Sequence, residues 1–337
     1  MYQRFYGLRE LPFELTPNPR YLFFTRRHRE ALSNLQFGLF SAKPLTVLIG
    51  EAGTGKTTLL RAALESEPCR NVRCVYLNNP ALTRGEFVEM LANRFRLSER
   101  AAQSKTLLLG ELEHVLHERR SRGEVAALVV DEAQSLTAEL LEEIRLLANI
   151  ETSTEKLLAL VLAGQPELGD RLNDPALRQL KQRVGLRCEV SPLDLAETAA
   201  YIASRIRTAG GEAAKLFTRE AVMLIHDYSR GIPRTISVIC DNALLSGLAL
   251  GQKPVGRDIV LEVCQDFDLT ATEVTLTATE VTSSHTTPTV VADVNESEPD
   301  ALDQQPFRDA ENETDPNAIF DEIVRPRRFT LFGSPRG

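Results

Sequence analysis

Five short apolar runs, separated by stretches with helical spacing, pattern the first two thirds of the chain. Leu45–Ile49 passes through a glycine-rich turn into an alanine- and leucine-rich stretch, Leu59–Leu64, which predicts strand, turn and helix. Val72–Leu77 alternates and carries Val and Tyr, as a strand does. Glu86–Phe95 and Thr106–Arg120 have helical spacing, with leucines at 107, 108, 112 and 116. A strand over Ala126–Val130, a helix from Ala138 to Ile150 and an apolar strand, Leu157–Ala163, come next. A helix over Ala176–Gln182 then leads to a last short strand, Leu186–Val190. Strands alternating with helices predict an α/β fold, a parallel sheet covered by helices on both faces. A ligand of such a sheet belongs at the carboxyl ends of its strands. From Asp194 the strand pattern stops, and helices are expected at Ala196–Thr208, Glu220–Tyr228, Ile236–Leu250 and Asp258–Phe267. The breaks between them carry Gly210-Gly211, Gly231-Ile232-Pro233 and Gly251 to Pro254.

Charge separates a further segment. From Phe267 to the end there are 14 Asp or Glu and 5 Arg, a net of −9 against −8 for the whole 337-residue chain, so residues 1–266 carry about +1. A nearly neutral body gives no global electrostatic case for nucleic-acid binding, though a local patch stays open. The acidic segment repeats TATEVT at 270–275 and 277–282 and is rich in Thr, Ser, Asp, Glu and Pro. With so few large apolar residues it cannot offset its ordering entropy, and disorder is expected. Its last residues, 317–333, place Ile319, Phe320, Ile323 and Val324 before Arg325-Pro326-Arg327-Arg328-Phe329, which fits a docking peptide or a frayed tail. The expected domains are 1–44, an extension and first helix packed on the ligand site; 45–191, the α/β core; 192–267, a helical lid; and 268–337, the tail. Five cysteines, an odd number with no C-x-x-C pair, suit reduced thiols in a cytoplasmic protein. Met1 to Phe13 has no long apolar core of a signal peptide, and the longest apolar stretch, Leu157–Gly164, is far too short to span a bilayer.

The chemistry lies at two strand ends. Gly50-Glu51-Ala52-Gly53-Thr54-Gly55-Lys56-Thr57, followed by Thr58, completes the pattern G-x-x-x-x-G-K-[ST] between a strand and a helix. Its glycines let consecutive N–H groups turn inward on a polyphosphate, and the new helix presents its positive end to the same anion. Lys56 can reach the β- and γ-phosphates, and the Thr57 hydroxyl can bind Mg²⁺. The Ala126–Val130 strand ends in Asp131-Glu132-Ala133-Gln134. Asp131 can hold the metal, and Glu132 can take the proton of a water attacking the γ-phosphate. The alternative is a pair that caps the helix at Ala138. With the phosphate loop upstream, both cofactors are expected: ATP and Mg²⁺. His114 and His117, three apart on a helix, lack a third ligand and are read as ordinary histidines.

These motifs and the helical lid resemble an AAA+ ATPase, a P-loop NTPase. The block FYGLRELPFELTPNPRYLFFTRRHREALSNLQFGL (Phe5 to Leu39), then GEAGTGKTTL, LVVDEAQSL and AGQPEL, is similar to the general secretion pathway protein A (ExeA-like) family. That family in turn resembles AAA+ ATPases that accompany some transposases. The resemblance covers about residues 1–266 and implies further roles. Gln165 would stand near the γ-phosphate as "sensor 1", or else be a turn residue before Pro166. Arg234 in Gly231-Ile232-Pro233-Arg234 would reach the nucleotide from the lid as "sensor 2", or be a solvated first-turn arginine. An arginine finger acting on a neighbouring subunit would lie among Arg178, Arg183 and Arg187, with Arg183 fitting best, which implies a homo-oligomer. Pro12, Phe13, Pro19, Tyr21 and Leu22 would pack around the adenine. Members acting in secretion continue into a membrane span and a periplasmic region, whereas this lid runs into the acidic segment. Three readings follow: an oligomeric ATPase remodelling or assembling a protein partner in secretion or envelope assembly, through the lid or tail; a DNA-associated ATPase of the mobile-element type, suggested by Arg26, Arg27, His28 and Arg29; or a nucleotide-gated scaffold.

Overall fold

The protein is described here by a computed structural model covering residues 1–15, 19–78 and 81–270. The expected tail beyond 270 and the docking peptide at 317–333 lie outside the described residues. Five parallel strands, β1 (Thr46–Gly50), β2 (Val72–Leu77), β3 (Val125–Val130), β4 (Leu158–Gly164) and β5 (Leu186–Val190), form one sheet in the order β2-β3-β4-β1-β5. The three inner strands are buried along their whole length, which is why they read as unbroken apolar runs. The edge strands β2 and β5 keep exposed positions. Ile49 of β1 pairs with Gly164 of β4, and Val130 of β3 with Leu162. That register brings the ends of β1, β3 and β4 level, so the phosphate loop and the acidic pair emerge at one edge.

Helices α2 (Arg26–Phe40) and α3 (Lys56–Leu64) cover one face, where Leu35, Leu39, Leu59 and Leu60 meet Leu48, Val129 and Val161. Helices α4 (Arg84–Phe95), α5 (Lys105–Ser121), α6 (Ala138–Leu147) and α7 (Pro166–Leu172) cover the other, where Phe87, Phe95, Leu112, Ile144 and Leu168 meet Val47, Leu128 and Leu160. Strand residues one apart thus feed opposite layers. A short α8 (Arg178–Lys181) behind the 3₁₀ turn Pro175–Leu177 stands where one helix over 176–182 was expected. The Asp174 side chain accepts from the Ala176 N–H and holds that tighter turn.

The lid consists of α9 (Leu195–Thr208), α10 (Arg219–Ser229), α11 (Pro233–Ala249) and α12 (Arg257–Asp266). Pro233 occupies the first turn of α11, where its missing N–H costs nothing, so this helix starts three residues earlier than its apolar period suggests. Within residues 1–44, the first residues pack on the lid, while Glu14, Leu15, Tyr21 and Leu22 line the cleft between core and lid. A short α1 (Tyr2–Tyr6) and Leu8 and Phe13 are buried in the lid core. Tyr2 donates to Asp241, the Tyr6 hydroxyl donates to the Gln252 carbonyl at 3.2 Å, and the Phe13 and Phe217 rings meet edge to face at 6.3 Å. The lid helices leave an apolar face uncovered, and these aromatics cover it, whereas α2 lies on the sheet. All five cysteines are free thiols. Among the described residues, no helix is long and apolar enough to cross a membrane.

Candidate nucleotide site

A cleft of about 540 Å³ opens at the carboxyl edge of the sheet, between core and lid, and its lining includes Gly53, Gly55, Lys56, Thr57, Thr58, Glu132 and Arg234. Gly53 and Gly55 have φ of +82° and +98°, a region that side chains with a Cβ seldom adopt. Gly50 sits beneath the loop, where a Cβ would come within 2.6 Å of the Val190 carbonyl. Glu51 and Ala52 form the exposed tip. The loop's carbonyls are held from behind. Lys56 Nζ donates to the carbonyls of Gly50 at 2.8 Å and Glu51 at 3.0 Å. The Thr54 hydroxyl also donates to Glu51 at 2.8 Å, and the Arg234 N–H donates to Gly53 at 3.3 Å. With the carbonyls of Gly50, Glu51 and Gly53 engaged by the protein, the loop's N–H groups are left to meet an anion. Lys56 is only 5% exposed, and burial pulls its ammonium below the usual lysine range, against the pull of Glu132 and Asp131.

Asp131, 4% exposed, joins the two motifs. Its Oδ2 accepts from the Thr57 hydroxyl at 2.7 Å and the Tyr76 hydroxyl at 3.0 Å, and its Oδ1 from the Glu132 N–H at 3.0 Å. Burial and the neighbouring carboxylate push Tyr76 well above the usual phenol range, which keeps it a donor. The paired hydroxyl and carboxylate are hard oxygen ligands suited to Mg²⁺. Among the described residues, no group of three or more His, Cys, Asp and Glu could hold a metal. The protein's share of a Mg²⁺ shell would therefore be Thr57 and Asp131, with phosphate and water supplying the rest.

Glu132 adopts φ +53°, an uncommon backbone for a residue with a Cβ, and this turns it off the strand into the cleft. Its Oε2 accepts from Gln134 Nε2 at 2.7 Å and from Gln165 Nε2 at 3.4 Å. Gln134 Oε1 in turn accepts the Gln165 N–H at 3.1 Å, and Arg171 donates to the Gln134 carbonyl at 2.6 Å. Gln165 thus stands beside the candidate base. Arg183 does not line the cleft; it follows α8 at the opposite edge of the sheet, near Glu151, whose carboxyl is held below the usual range by Lys156 foremost and by Arg183 after it.

At the other end of the cleft stand Leu15, Tyr21, Leu22, Tyr201, Arg205 and Ser237. Tyr21 and Leu22 lie where the base was expected, but Phe13, 1% exposed, is committed to the lid core. Arg205 ties this wall together. It donates to the carbonyls of Pro12 at 2.5 Å and Glu14 at 3.0 Å and to the Tyr201 hydroxyl at 2.7 Å, with its guanidinium 5.0 Å from the Tyr21 ring centre. Sequence reasoning missed Arg205, Tyr201, Tyr76 and Gln134 as site residues. Tyr76 had a signal, its place at the carboxyl end of a parallel strand; Arg205 had none, its partners lying some 190 residues away. In the cluster around Arg26 the three arginines are exposed and only His28 is buried. Arg26 pairs with Glu30 at 3.0 Å, Arg27 donates to Ser191, and Arg29 donates to the Phe24 carbonyl at 2.8 Å.

A loop after β1, an acidic pair at the end of β3 with β4 between them, and a lid closing over both point to one class. Residues 41–172 match the AAA domain family, and the chain has the AAA+ P-loop fold. Its particular kinship is with general secretion pathway protein A of Aeromonas hydrophila, to which it is 40% identical over 262 residues. The match takes in 77% of this chain and 48% of that protein, so the chain spans about half the length of the curated relative it matches. Among solved structures, Cdc6p of Pyrobaculum aerophilum superposes with a TM-score of 0.57 at 20% identity, covering 76% of this chain and 70% of that one. ORC2 of Aeropyrum pernix, in its ADPNP–ADP complexes, gives 0.54 at 17% identity over 76% and 71%. At these identities the likeness establishes the fold.

Proposed function

We propose that the chain is a Mg²⁺-dependent ATP hydrolase that works as a homo-oligomer in the cytoplasm. Its cycle would remodel or assemble a protein partner in secretion or envelope assembly. The observation that carries the chemistry is the 2.7 Å contact between Thr57 and Asp131, with Glu132 lining the same cleft. The loop N–H groups and Lys56 bind the phosphates of ATP, and Thr57 and Asp131 hold Mg²⁺. When bound, Mg²⁺ would supply positive charge that offsets the negative charge of the transferring phosphoryl group. Glu132 Oε2 accepts the proton of the attacking water, held for that task by Gln134 and Gln165. Arg234, anchored to the loop through its N–H, brings the lid to the nucleotide. Arg183 from a neighbour stabilises the transferring phosphoryl group, which makes the oligomer the working species.

The partner class rests on kinship with a protein named for general secretion. A DNA-associated role has less support, because His28 is buried and Arg27 and Arg29 donate to the protein itself. Two variants test the chemistry by nucleotide binding and phosphate release. Lys56→Ala should lose ATP binding. Glu132→Gln should bind ATP while turnover falls by roughly 10²-fold or more, the scale of a general base. Turnover in Glu132→Gln equal to wild type would refute the assignment. Partner capture by the whole chain, lost on removing residues 268–337 while ATPase persists, would support the tail as the docking element; unchanged capture would leave the lid.

A further inference from the structure

We infer that His28 is a positioning residue for the phosphate loop: its ring N–H holds the Thr54 carbonyl and so turns the Gly55 N–H towards the phosphates. This rests on the nucleotide reading above and adds a residue to it from outside the loop. His28 lies in the first turn of α2, 5% exposed, with Nε2 at 3.2 Å from the Thr54 carbonyl oxygen. Its other ring nitrogen, Nδ1, is 2.8 Å from the Thr25 hydroxyl, which also accepts the His28 main-chain N–H at 3.3 Å. The Thr54 carbonyl can only accept, so Nε2 carries the proton of the neutral ring and Nδ1 accepts from the Thr25 hydroxyl. Burial also favours the neutral ring, so this tautomer is the one present.

The consequence follows from the shape of the peptide bond. In a trans amide the C=O and the next N–H point in opposite directions, so fixing the Thr54 carbonyl fixes the direction of the Gly55 N–H. The peptide needs fixing because Gly55, at φ +98°, has no Cβ to stop it from rotating. A flipped peptide would place a carbonyl oxygen against the phosphate. Lys56 holds the carbonyls of Gly50 and Glu51, but its ammonium is also the group that must meet the phosphates. His28 has no such second task. A packing histidine would have needed no contact with this loop.

The test uses the 337-residue chain with His28→Phe, which keeps the ring volume without the donor, and His28→Gln, whose amide N–H reaches a similar point. The affinities for MgADP and for pyrophosphate, which lacks the base and ribose, are measured with the melting temperature of the ligand-free protein. His28→Phe should weaken both ligands about tenfold, the worth of one buried hydrogen bond, with little change in ligand-free melting. His28→Gln should recover most of that loss. Wild-type affinity for both ligands in His28→Phe would overturn the inference. So would equal losses in both variants accompanied by a fall in ligand-free melting, which would make the ring a packing element. A wild-type chain that binds neither ligand would overturn the nucleotide reading and this inference together.

Discussion

Asp131 shows how one buried carboxylate is fixed by neutral hydrogen-bond donors. Three donors converge on it: the Thr57 hydroxyl, the Tyr76 hydroxyl and the Glu132 main chain. An ionised carboxylate only accepts, and so many donors fix its plane. His28 offers a titration that can be read independently of nucleotide. Burial lowers its pKa from the ordinary 6.5, opposed by the Thr54 carbonyl and the Glu197 carboxylate. The unfolded chain therefore takes up this proton first as pH falls. The folded state loses stability from about pH 6.5 down through the lowered folded value, and regains it as pH rises. His28→Gln, which does not titrate, should lose less stability than wild type between pH 7.5 and about 5, as urea midpoints would report. Parallel loss in both proteins would assign the acid sensitivity to other groups.

The helices are held by local chemistry at their ends. Asp194 caps α9, its Oδ1 accepting the Glu197 N–H at 2.7 Å while Glu197 Oε2 accepts the Asp194 N–H at 3.2 Å. Thr83 and Glu86 repeat the device on α4. Asp194→Ala should cost about 1 kcal/mol in urea unfolding, and Asp194→Asn distinctly less, because Asn keeps a capping oxygen. Equal stability of Asp194→Ala and wild type would mean the cap adds nothing to the lid's attachment. Strong periodicity made the long helices legible, with ends displaced by a few residues. Helices α1 and α7 went unread because five or seven residues hold too few turns for a period to show. Pro166, in the first turn of α7, read instead as the end of a turn.

At the scale of the molecule, Gly231 sets the start of α11 against the first residues of the lid, just before Arg234 meets the phosphate loop. The Gly231 carbonyl accepts the Leu193 N–H at 2.8 Å, its φ is +69°, and a Cβ there would fall 2.0 Å from the Leu193 carbonyl oxygen. Gly231→Ala should lose more than the roughly 1–2 kcal/mol that a left-handed backbone costs alone, since main-chain atoms must also move. Arg234 lies three residues on, so nucleotide affinity should fall with stability; equilibrium unfolding and MgADP titration would show both, and wild-type values in each would refute that role. Arg183, which does not line its own cleft, sets a test between subunits. Arg183→Ala and Lys56→Ala should each be nearly inactive alone. Mixed, they should regain part of the ATPase, because an intact site would then face an intact arginine. No recovery at any ratio would count against a finger acting in trans.

The order of strands and helices, the phosphate loop and the acidic pair followed from the sequence alone, because each is written in neighbouring residues. Apolar period sets the element, and the loop glycines and Lys56 have their chemistry wherever the chain goes. The tertiary structure decided what depends on distant surfaces meeting. It sent Tyr2, Tyr6 and Phe13 into the lid, joined Arg205 to the carbonyls of Pro12 and Glu14, and set His28 behind Thr54. A histidine between arginines reads as charge until packing removes its water. Which apolar faces cover one another is fixed by the burial of the whole chain, and no local pattern carries that choice.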